Sequence, residues 1–409
     1  MRHRLLRAAA LLVIAVASVA PAQQKKPRAR ELGVPFDGTP GPLNAITDIA
    51  GIEVGQTTVV FGNGRLERGK GPARTGVTAI LPRGKASWDP VFAAWFPLNG
   101  NGEMTGTPWV EESGFLEGPI LITNTHSVGT VRDATIEWEI RHGRQFLFTY
   151  PLVAETWDGV LNDVNGFHVK PEHVWAALDG AKPGPVAEGA AGGGTGMVCN
   201  GWKGGNGTSS RRVTTPLGTY TVGVFVQCNY GGQRGLRIAG VPVGTELTEQ
   251  GVCAETTEPP SQWFMKNVAV CGTPRSSAVD RPNAELGSII IIVATDAPLL
   301  AHQLKRLVKR ATLGLGREGS LASNFSGDLF LAFSTANAGA AADSGLRSLT
   351  MMPNEQLDPL FLATVQATEE AITNALFAAE TVTGVDRIRA NALPTDKVIA
   401  LLRKYGRVK

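Results

Sequence analysis

The segment Ile289–Thr295, "IIIIVAT", limits the possible folds more than any other part of the chain, because it is apolar on both faces over most of its length. A strand that has water on one face alternates apolar and polar residues, whereas a strand covered on both faces is continuously apolar. The sequence therefore predicts a central strand with structure packed on each side. Gly287 and Ser288 stand at its start.

Other segments have the composition of strands or the apolar spacing of helices. Strands are expected at 44–60, 76–81, 91–98, 120–123, 146–154, 219–229 and 329–334. Helices are expected at 128–141, 171–178, 296–309, 359–383 and 395–404. Because the strands come in runs and the helices are grouped, the order favours sheets packed on each other with helices outside, rather than a doubly wound parallel sheet.

The N-terminus has the three parts of a secretory signal peptide, namely arginines at positions 2, 4 and 7, an apolar stretch at 8–20 and the small residues "APA" at 20–22. A membrane anchor is the alternative, but the apolar stretch is short for a span. We expect a signal peptide at 1–22, a flexible polar lead-in at 23–43, one large domain at 44–409, and a periplasmic or secreted protein.

Charge and cysteines exclude some classes of protein. Removing the three arginines of the signal region from 39 basic and 36 acidic residues leaves a formally neutral chain, so no nucleic-acid-binding face is expected. No further membrane segment is expected, because no longer apolar run follows the signal region. Cys253 and Cys271 flank one irregular segment and form either a disulfide or two independent buried thiols. No cysteine or histidine cluster has metal-ligand spacing, and no cofactor is expected.

The common sequence motifs of nucleotide-binding proteins and serine hydrolases do not identify a site in this chain. Gly314–Gly319 matches G-x-G-x-x-G, but it follows a predicted helix instead of a strand, so we interpret it as a helix C-terminal turn. No serine lies in a G-x-S-x-G turn, and no histidine belongs to a recognisable triad. A hydrolytic serine in this chain would need a base other than histidine.

A free α-amine can be that base, because it titrates near neutral pH and lies within reach of the hydroxyl on its own residue. Such a residue arises inside a precursor when its hydroxyl attacks the preceding carbonyl. Glycine before the hydroxyl residue leaves that carbonyl open to attack. Gly287–Ser288 has this chemistry, although Gly-Ser is also a common start for a strand.

Five blocks together resemble the family of L-aminopeptidase/D-esterase–amidases and β-aminopeptidases: "VAETWDG", "LNDVNGFHV", "GGGTGMVCNGWKGGNGTSSR", "LGSIIIIVATDAPLLAHQLKRL" and "FSGDLFLAFSTAN". The resemblance covers about 44–398. It implies a four-layer α-β-β-α sandwich of the N-terminal-nucleophile-hydrolase type, self-cleaved into chains 23–287 and 288–409. It also implies homo-oligomers of αβ units that act on small peptides, amides or esters with a free amino group.

The resemblance also implies the site. Self-cleavage would occur between Gly287 and Ser288, and Ser288 would be the nucleophile that carries the acyl group. The catalytic residues would then be Ser288, Ser326, Asp328 and Asn229, with Ser326 and Asp328 orienting the nucleophile and Asn229 donating to the oxyanion.

The resemblance implies substrate-binding residues as well. Glu155 would hold the substrate ammonium, with Glu139 as a further candidate. Trp157 stands where relatives often carry tyrosine.

Two other functions stay open. An acyltransferase of the N-acetylornithine-processing type would use threonine where this chain has Ser288. A non-catalytic periplasmic binding protein would leave the Gly287–Ser288 bond intact. Among hydrolases, the sequence leaves open whether L-α-, D-alanyl or β-amino acyl groups are released.

Overall fold

The computed structural model describes residues 26–273 and 287–409. The strands are β1 (Glu53–Phe61), β2 (Ala73–Leu81), β3 (Val91–Gly100), β4 (Phe115–Leu116), β5 (Ile120–Asn124), β6 (Leu152–Thr156), β7 (Val198–Cys199), β8 (Trp202–Lys203), β9 (Gly205–Thr215), β10 (Gly218–Asn229), β11 (Val252–Ala254), β12 (Gly287–Thr295), β13 (Ser326–Ser334), β14 (Val382–Thr383) and β15 (Ile388–Ala390). The helices are α1 (Thr107–Ser113), α2 (Val128–Arg141), α3 (Pro171–Asp179), α4 (Val243–Glu246), α5 (Ala301–Val308), α6 (Ala311–Arg317), α7 (Asp358–Ala378) and α8 (Thr395–Lys404).

Two sheets form the middle of the molecule. The larger sheet has the order β4-β3-β13-β12-β10-β9, and the smaller sheet has the order β1-β2-β5-β6. The apolar core between them contains Ile290 and Ile292 of the larger sheet and Ile80 and Ile122 of the smaller one. The two sheets therefore pack face to face across one shared core.

Helices cover the two outer faces. A second core joins the far face of the larger sheet to α5, α6, α7 and α8, and a third joins the far face of the smaller sheet to α2 and α3. The order of layers is helix, sheet, sheet, helix. The expected four-layer α-β-β-α sandwich is confirmed.

The strand β12 lies inside the larger sheet, between β10 on one side and β13 on the other. It pairs antiparallel with β10 and parallel with β13. All nine of its residues are buried. Ile289 and Ile291 pack toward the helices, whereas Ile290 and Ile292 pack toward the second sheet. The prediction of a central strand covered on both faces is confirmed.

Some boundaries differ from the prediction. The strand expected at 146–154 begins only at Leu152. The apolar side chains of Leu147, Phe148 and Tyr150, which suggested a longer strand, are exposed in the preceding loop. The glycine-dense region, where no strand was expected, contains the start of β9, where Gly207 lets helix α7 approach. The motif at 314–319 forms the last turn of the short helix α6 and ends with Gly319 at positive φ, so its interpretation as a helix C-terminal turn is confirmed, although the helix it ends is α6 and not the one predicted at 296–309.

The lead-in expected to be flexible packs on the domain over 26–43. Arg28 forms an ion pair of 2.8 Å with Glu188, and Arg30 forms one of 2.7 Å with Glu370. Ala29, between the two arginines, is fully buried in the large core. These basic residues are therefore anchors for the polypeptide. The expected signal peptide at 1–22 lies outside the described residues.

All four cysteines are in disulfides. Cys253–Cys271 closes the irregular segment that the two residues flank, which confirms the first of the two alternatives. Cys199–Cys228, a pairing that the sequence did not predict, joins β7 to the end of β10.

The contact between α7 and β9 depends on the absence of a side chain at Gly207. A Cβ atom there would lie 2.0 Å from the carbonyl oxygen of Ala371. We expect Gly207→Ala to lower the free energy of unfolding by roughly 1–3 kcal/mol, because overpacking forces the backbone apart. Chemical denaturation measures this change.

Gly316→Ala is the matched control. Gly316 lies in helix α6, and a Cβ atom there would meet nothing within 4 Å. Alanine is favoured over glycine in a helix, so the variant should be neutral or more stable by about 0.5–1 kcal/mol. Equal effects of the two substitutions would contradict the close-approach argument.

Candidate active site

A cavity of about 470 Å³ opens where β12 begins. Its wall combines polar groups with aromatic rings. The lining residues are Asn101, Gly102, Glu103, Thr125, Glu155, Trp157, Trp263, Phe264, Gly287, Ser288 and Phe325. The cavity therefore brings Gly287, Ser288, Glu155 and Trp157 together, although they are far apart in sequence.

Ser288 is positioned by the strands on both sides of β12. Asn229 lies directly opposite it on β10, and Gly327 lies beside it on β13. Directly opposed residues of an antiparallel pair project from the same face, with Cβ atoms roughly 4.5–5.5 Å apart. Ser288 is only 5 % exposed. The sheet register thus holds the serine next to the Asn229 amide.

Two glycines give the serine its room. A Cβ atom at Gly287 would lie 1.7 Å from the carbonyl oxygen of Asn229. One at Gly327 would lie 2.9 Å from the Ser288 hydroxyl and 2.2 Å from the carbonyl oxygen of Asn101. Glycine before the serine is therefore required by packing as well as by the chemistry that the sequence suggested.

The Asn229 amide has a fixed orientation. Its Oδ1 accepts the Val198 N–H at 2.7 Å, and its Nδ2 donates to the Trp157 carbonyl at 2.8 Å. An amide nitrogen carries two hydrogens, so a second one remains for an oxygen bound next to Ser288. A donor to an oxyanion needs a fixed orientation of this kind.

Ser326 and Asp328 form a buried pair on the neighbouring strand. The Ser326 hydroxyl donates to the Asp328 carboxylate at 2.7 Å, and both residues are fully buried. In register they flank Gly327, level with Gly287 and Ile289. Strand alternation therefore places both side chains on the face of Ile289, not on the face of the Ser288 hydroxyl. The pair lies beside the backbone at the start of β12.

Glu155 is the last residue but one of strand β6 and is 3 % exposed. Its carboxylate accepts the Glu103 N–H at 3.0 Å and the Thr125 hydroxyl. Burial raises its pKa above the usual value, and the two hydrogen bonds oppose that rise. A buried carboxylate with donors on both oxygens is ready to hold a cation in the cavity.

An aromatic wall faces Glu155 and Ser288, and it consists of Trp157, Trp263 and Phe264. The rings of Trp157 and Phe264 meet edge to face with centroids 5.1 Å apart. Trp263 contacts Phe264 and is 79 % exposed at the mouth. The Trp157 carbonyl also accepts the hydrogen bond from Asn229 Nδ2. The indole of Trp157 therefore forms part of the aromatic wall, and its backbone orients the Asn229 amide.

The segment that carries Trp263 and Phe264 is closed at its base by the Cys253–Cys271 disulfide. Its tip is tied down by Gln262, which donates to the Gly159 carbonyl at 2.8 Å, and by Ser261, which donates to the Asp386 carboxylate at 2.6 Å. Neither of these two aromatic residues was predicted to lie at the site. Only their position between the two cysteines marked the segment.

Glu139, the other carboxylate considered for substrate binding, does not line the cavity. It lies on α2, on the outer side of the smaller sheet, and is fully buried. Arg144 holds it in an ion pair of 2.5 Å. Burial raises its pKa and the guanidinium lowers it. Glu139 therefore already has a partner within the protein, and Glu139 does not lie at the Ser288 site.

Within residues 26–273 and 287–409, no three His, Cys, Asp or Glu side chains are grouped so as to hold a metal ion. Over the same residues, every helix is too short or too polar to cross a membrane.

Comparisons with known proteins show the family of the chain. Residues 44–390 match the model of peptidase family S58. A β-peptidyl aminopeptidase from Sphingosinicella microcystinivorans is 54 % identical over 95 % of this chain and 94 % of its own length.

Two solved structures have the same fold. An L-aminopeptidase D-Ala-esterase/amidase from Ochrobactrum anthropi, described as a variant of the Ntn hydrolase fold, is 43 % identical with a TM-score of 0.81, over 94 % of this chain and 100 % of the other. A β-aminopeptidase from Burkholderia sp. is 42 % identical with a TM-score of 0.79, over 93 % and 99 %. With its Ser288 site and these likenesses, the chain belongs to peptidase family S58 and is a serine aminopeptidase of that family.

Proposed function

We propose that the chain cleaves itself between Gly287 and Ser288 and then releases N-terminal β-amino acids from small peptides and amides through an acyl-enzyme on Ser288. The observation that carries this proposal is the pairing of Ser288 with Asn229 across β10 and β12, at the wall of a cavity that also contains a buried carboxylate. Nucleophile, oxyanion donor and amine-binding group are then within one site.

Self-cleavage would begin when the Ser288 hydroxyl attacks the Gly287 carbonyl carbon. The C–N bond breaks, the Ser288 nitrogen takes up the hydroxyl proton, and an ester links the two residues. Water then hydrolyses the ester, leaving a Gly287 carboxylate and a Ser288 with free hydroxyl and α-amine. Ser326 and Asp328, level with the backbone on either side of Ser288, would orient that amine.

Turnover would use the new amine as the base. It accepts the Ser288 hydroxyl proton as the oxygen attacks the substrate carbonyl, and Asn229 donates to the oxyanion that forms. The proton passes to the departing amine as the C–N bond breaks. Water, activated in the same way, releases the amino acid and restores the serine.

Glu155 would select substrates that have a free amino group. A carboxylate in a partly dry cavity attracts an ammonium strongly, and an acetylated nitrogen offers no charge in return. The aromatic wall would contact the apolar parts of the substrate. The finer assignment to β-amino acyl groups is supported by the names of the relatives from Sphingosinicella microcystinivorans and Burkholderia sp..

We also propose export and assembly. The signal-like segment at 1–22 and the two disulfides support a periplasmic or secreted enzyme, because disulfides persist in oxidising compartments. The likeness to the family supports a homo-oligomer of αβ units. Size-exclusion chromatography with light scattering measures the assembly.

The proposed activity is tested with p-nitroanilides of β-alanine, L-alanine and D-alanine, each free and N-acetylated. We expect the free β-alanyl compound to have the highest kcat/KM and the acetylated compounds to be inert. Ser288→Ala should lose all hydrolysis because no nucleophile remains, whereas Ser344→Ala, at an exposed serine, should keep it.

A preference for the L-alanyl or D-alanyl compound would contradict the assignment to β-amino acyl groups but not the aminopeptidase activity. Hydrolysis of an acetylated substrate would contradict the role of Glu155. Transfer of the acyl group to an added amine in preference to water would favour the acyltransferase alternative.

The buried Glu155 carboxyl predicts a pH dependence. Because its pKa lies above the usual value, the group becomes neutral as the pH falls through that raised pKa, and it then attracts the substrate ammonium less. We expect kcat/KM to fall on this acidic limb. Glu155→Gln should raise KM on the order of 100-fold, typical for loss of one partner of a buried charge pair, and remove the Glu155 component of the limb while leaving the component due to protonation of the Ser288 α-amine.

Glu103→Gln is the comparison variant, because Glu103 carries an exposed carboxylate at the rim of the same cavity. Its rise in KM should be much smaller. An unchanged acidic limb in Glu155→Gln would show that another group titrates there.

A further inference from the structure

The short hairpin β7–β8 contacts Asn229 and is linked to the end of β10 by hydrogen bonds and a disulfide. Its turn, Asn200–Gly201, has positive φ at both residues, as two-residue hairpin turns of type I′ require. Besides the bond from Val198 to Asn229, the Asn200 N–H donates to the Tyr230 carbonyl at 2.6 Å, and the Cys199–Cys228 disulfide joins the two segments. The hairpin is therefore the support of the Asn229 amide.

Lys203, on the second strand of this hairpin, is completely buried. Its ammonium donates to the carbonyl oxygens of Gly194, Met197 and Gly204, at 3.2, 2.8 and 2.6 Å. Among the described residues no carboxylate forms an ion pair with it. Burial lowers its pKa to about 7. The three carbonyl oxygens favour the ammonium, because a neutral amine has only two hydrogens to donate.

A buried cation without a counter-ion is costly, and an apolar side chain would avoid that cost. The position of the charge suggests what it contributes. Met197 and Val198 share one peptide group, whose C=O accepts from Lys203 and whose N–H donates to Asn229 Oδ1. The ammonium, this peptide and the Asn229 amide thus form one continuous chain of hydrogen bonds.

Such a chain polarises each of its members. A cation on the peptide oxygen makes the peptide N–H a stronger donor, and that donor draws electron density toward Asn229 Oδ1. The Nδ2 hydrogens of Asn229 then become more positive. One of them is donated to the Trp157 carbonyl, and the other is the hydrogen that the proposed function assigns to the oxyanion.

We propose that Lys203 is a positioning residue for the reaction: through the Met197–Val198 peptide it fixes and polarises the Asn229 amide, which makes it a better donor to the oxyanion. The proposal rests on the proposed function of Ser288 and Asn229. Because self-cleavage and turnover would share the oxyanion donor, both steps should depend on Lys203.

The test compares Lys203→Met and Lys203→Gln with the wild-type enzyme. Methionine has a similar volume without donors. Glutamine has no charge but keeps two N–H donors for the carbonyl oxygens. Because these oxygens keep partners, a loss of activity in this variant is not explained by a folding defect. Removing an oxyanion donor outright costs about 100–1,000-fold in kcat, so weakening it should cost about tenfold. We expect that loss in kcat and in the rate of self-cleavage, with KM within about twofold of wild type.

Arg74→Met is the matched control. Arg74 is also a buried cation among backbone carbonyls, donating to those of Thr383, Phe61, Ala73 and Gly62. Its guanidinium has no link to Asn229. This variant should lower the unfolding temperature and leave kcat and self-cleavage unchanged per folded molecule.

Three results would overturn the proposal: wild-type kcat in Lys203→Gln, a loss that appears in KM instead of kcat, or an equal loss of kcat in Arg74→Met. The wild-type enzyme, measured in the same assays, separates this inference from the proposed function. If the wild type itself is neither cleaved nor active, the proposed function fails first.

Discussion

The backbone pairing of β12 with β10 and β13 is the constraint on which the rest of the structure depends. A continuously apolar strand must be covered on both faces, and the two sheets and the outer helices supply that cover. The same ladder sets Ser288 opposite Asn229 and beside Gly327. A shift of the register by one residue would turn the serine to the other face of the sheet.

Polar groups are concentrated where this strand begins, next to the apolar core between the two sheets. Burial raises the pKa of Glu155 and lowers that of Lys203, so in both cases the protein holds a charge against a solvation cost. Hydrogen bonds from Thr125 and Glu103 offset it for the carboxylate, and three carbonyl oxygens offset it for the ammonium. The site is thus an arrangement of fixed charges and dipoles around one serine, which is the condition for stabilising an oxyanion.

The sequence predicted those parts of the fold that repeat a local pattern. The helix at 128–141 and the strand at 289–295 follow from apolar spacing and from continuous apolarity. The start of β9 could not be predicted in this way, because glycine has low strand propensity and Gly207 is required by the approach of α7, which is distant in sequence. Arg28 and Arg30 lie in a segment that was expected to be flexible. Their ion pairs with Glu188 and Glu370 could not be predicted, because these partners are distant in sequence.

The same division applies to the site. Gly287, Ser288, Asn229 and Glu155 were predicted from motifs, and the structure places all four together. Glu139 was a further candidate because the resemblance implies an acidic side chain for the substrate amine, but it lies outside any of the five motif blocks and pairs with Arg144 elsewhere. Trp263, Phe264 and Lys203 were missed because their roles depend on the disulfide-closed segment and on the β7–β8 hairpin. Contacts of that kind exist only in three dimensions.

The most direct test of this account is N-terminal sequencing of the purified protein after separation on a denaturing gel. The account predicts two bands, with the smaller one beginning Ser-Ile-Ile-Ile-Ile at Ser288. A single intact band from folded protein that nevertheless hydrolyses the substrate would contradict it, because the serine would then act without the free α-amine on which the mechanism depends.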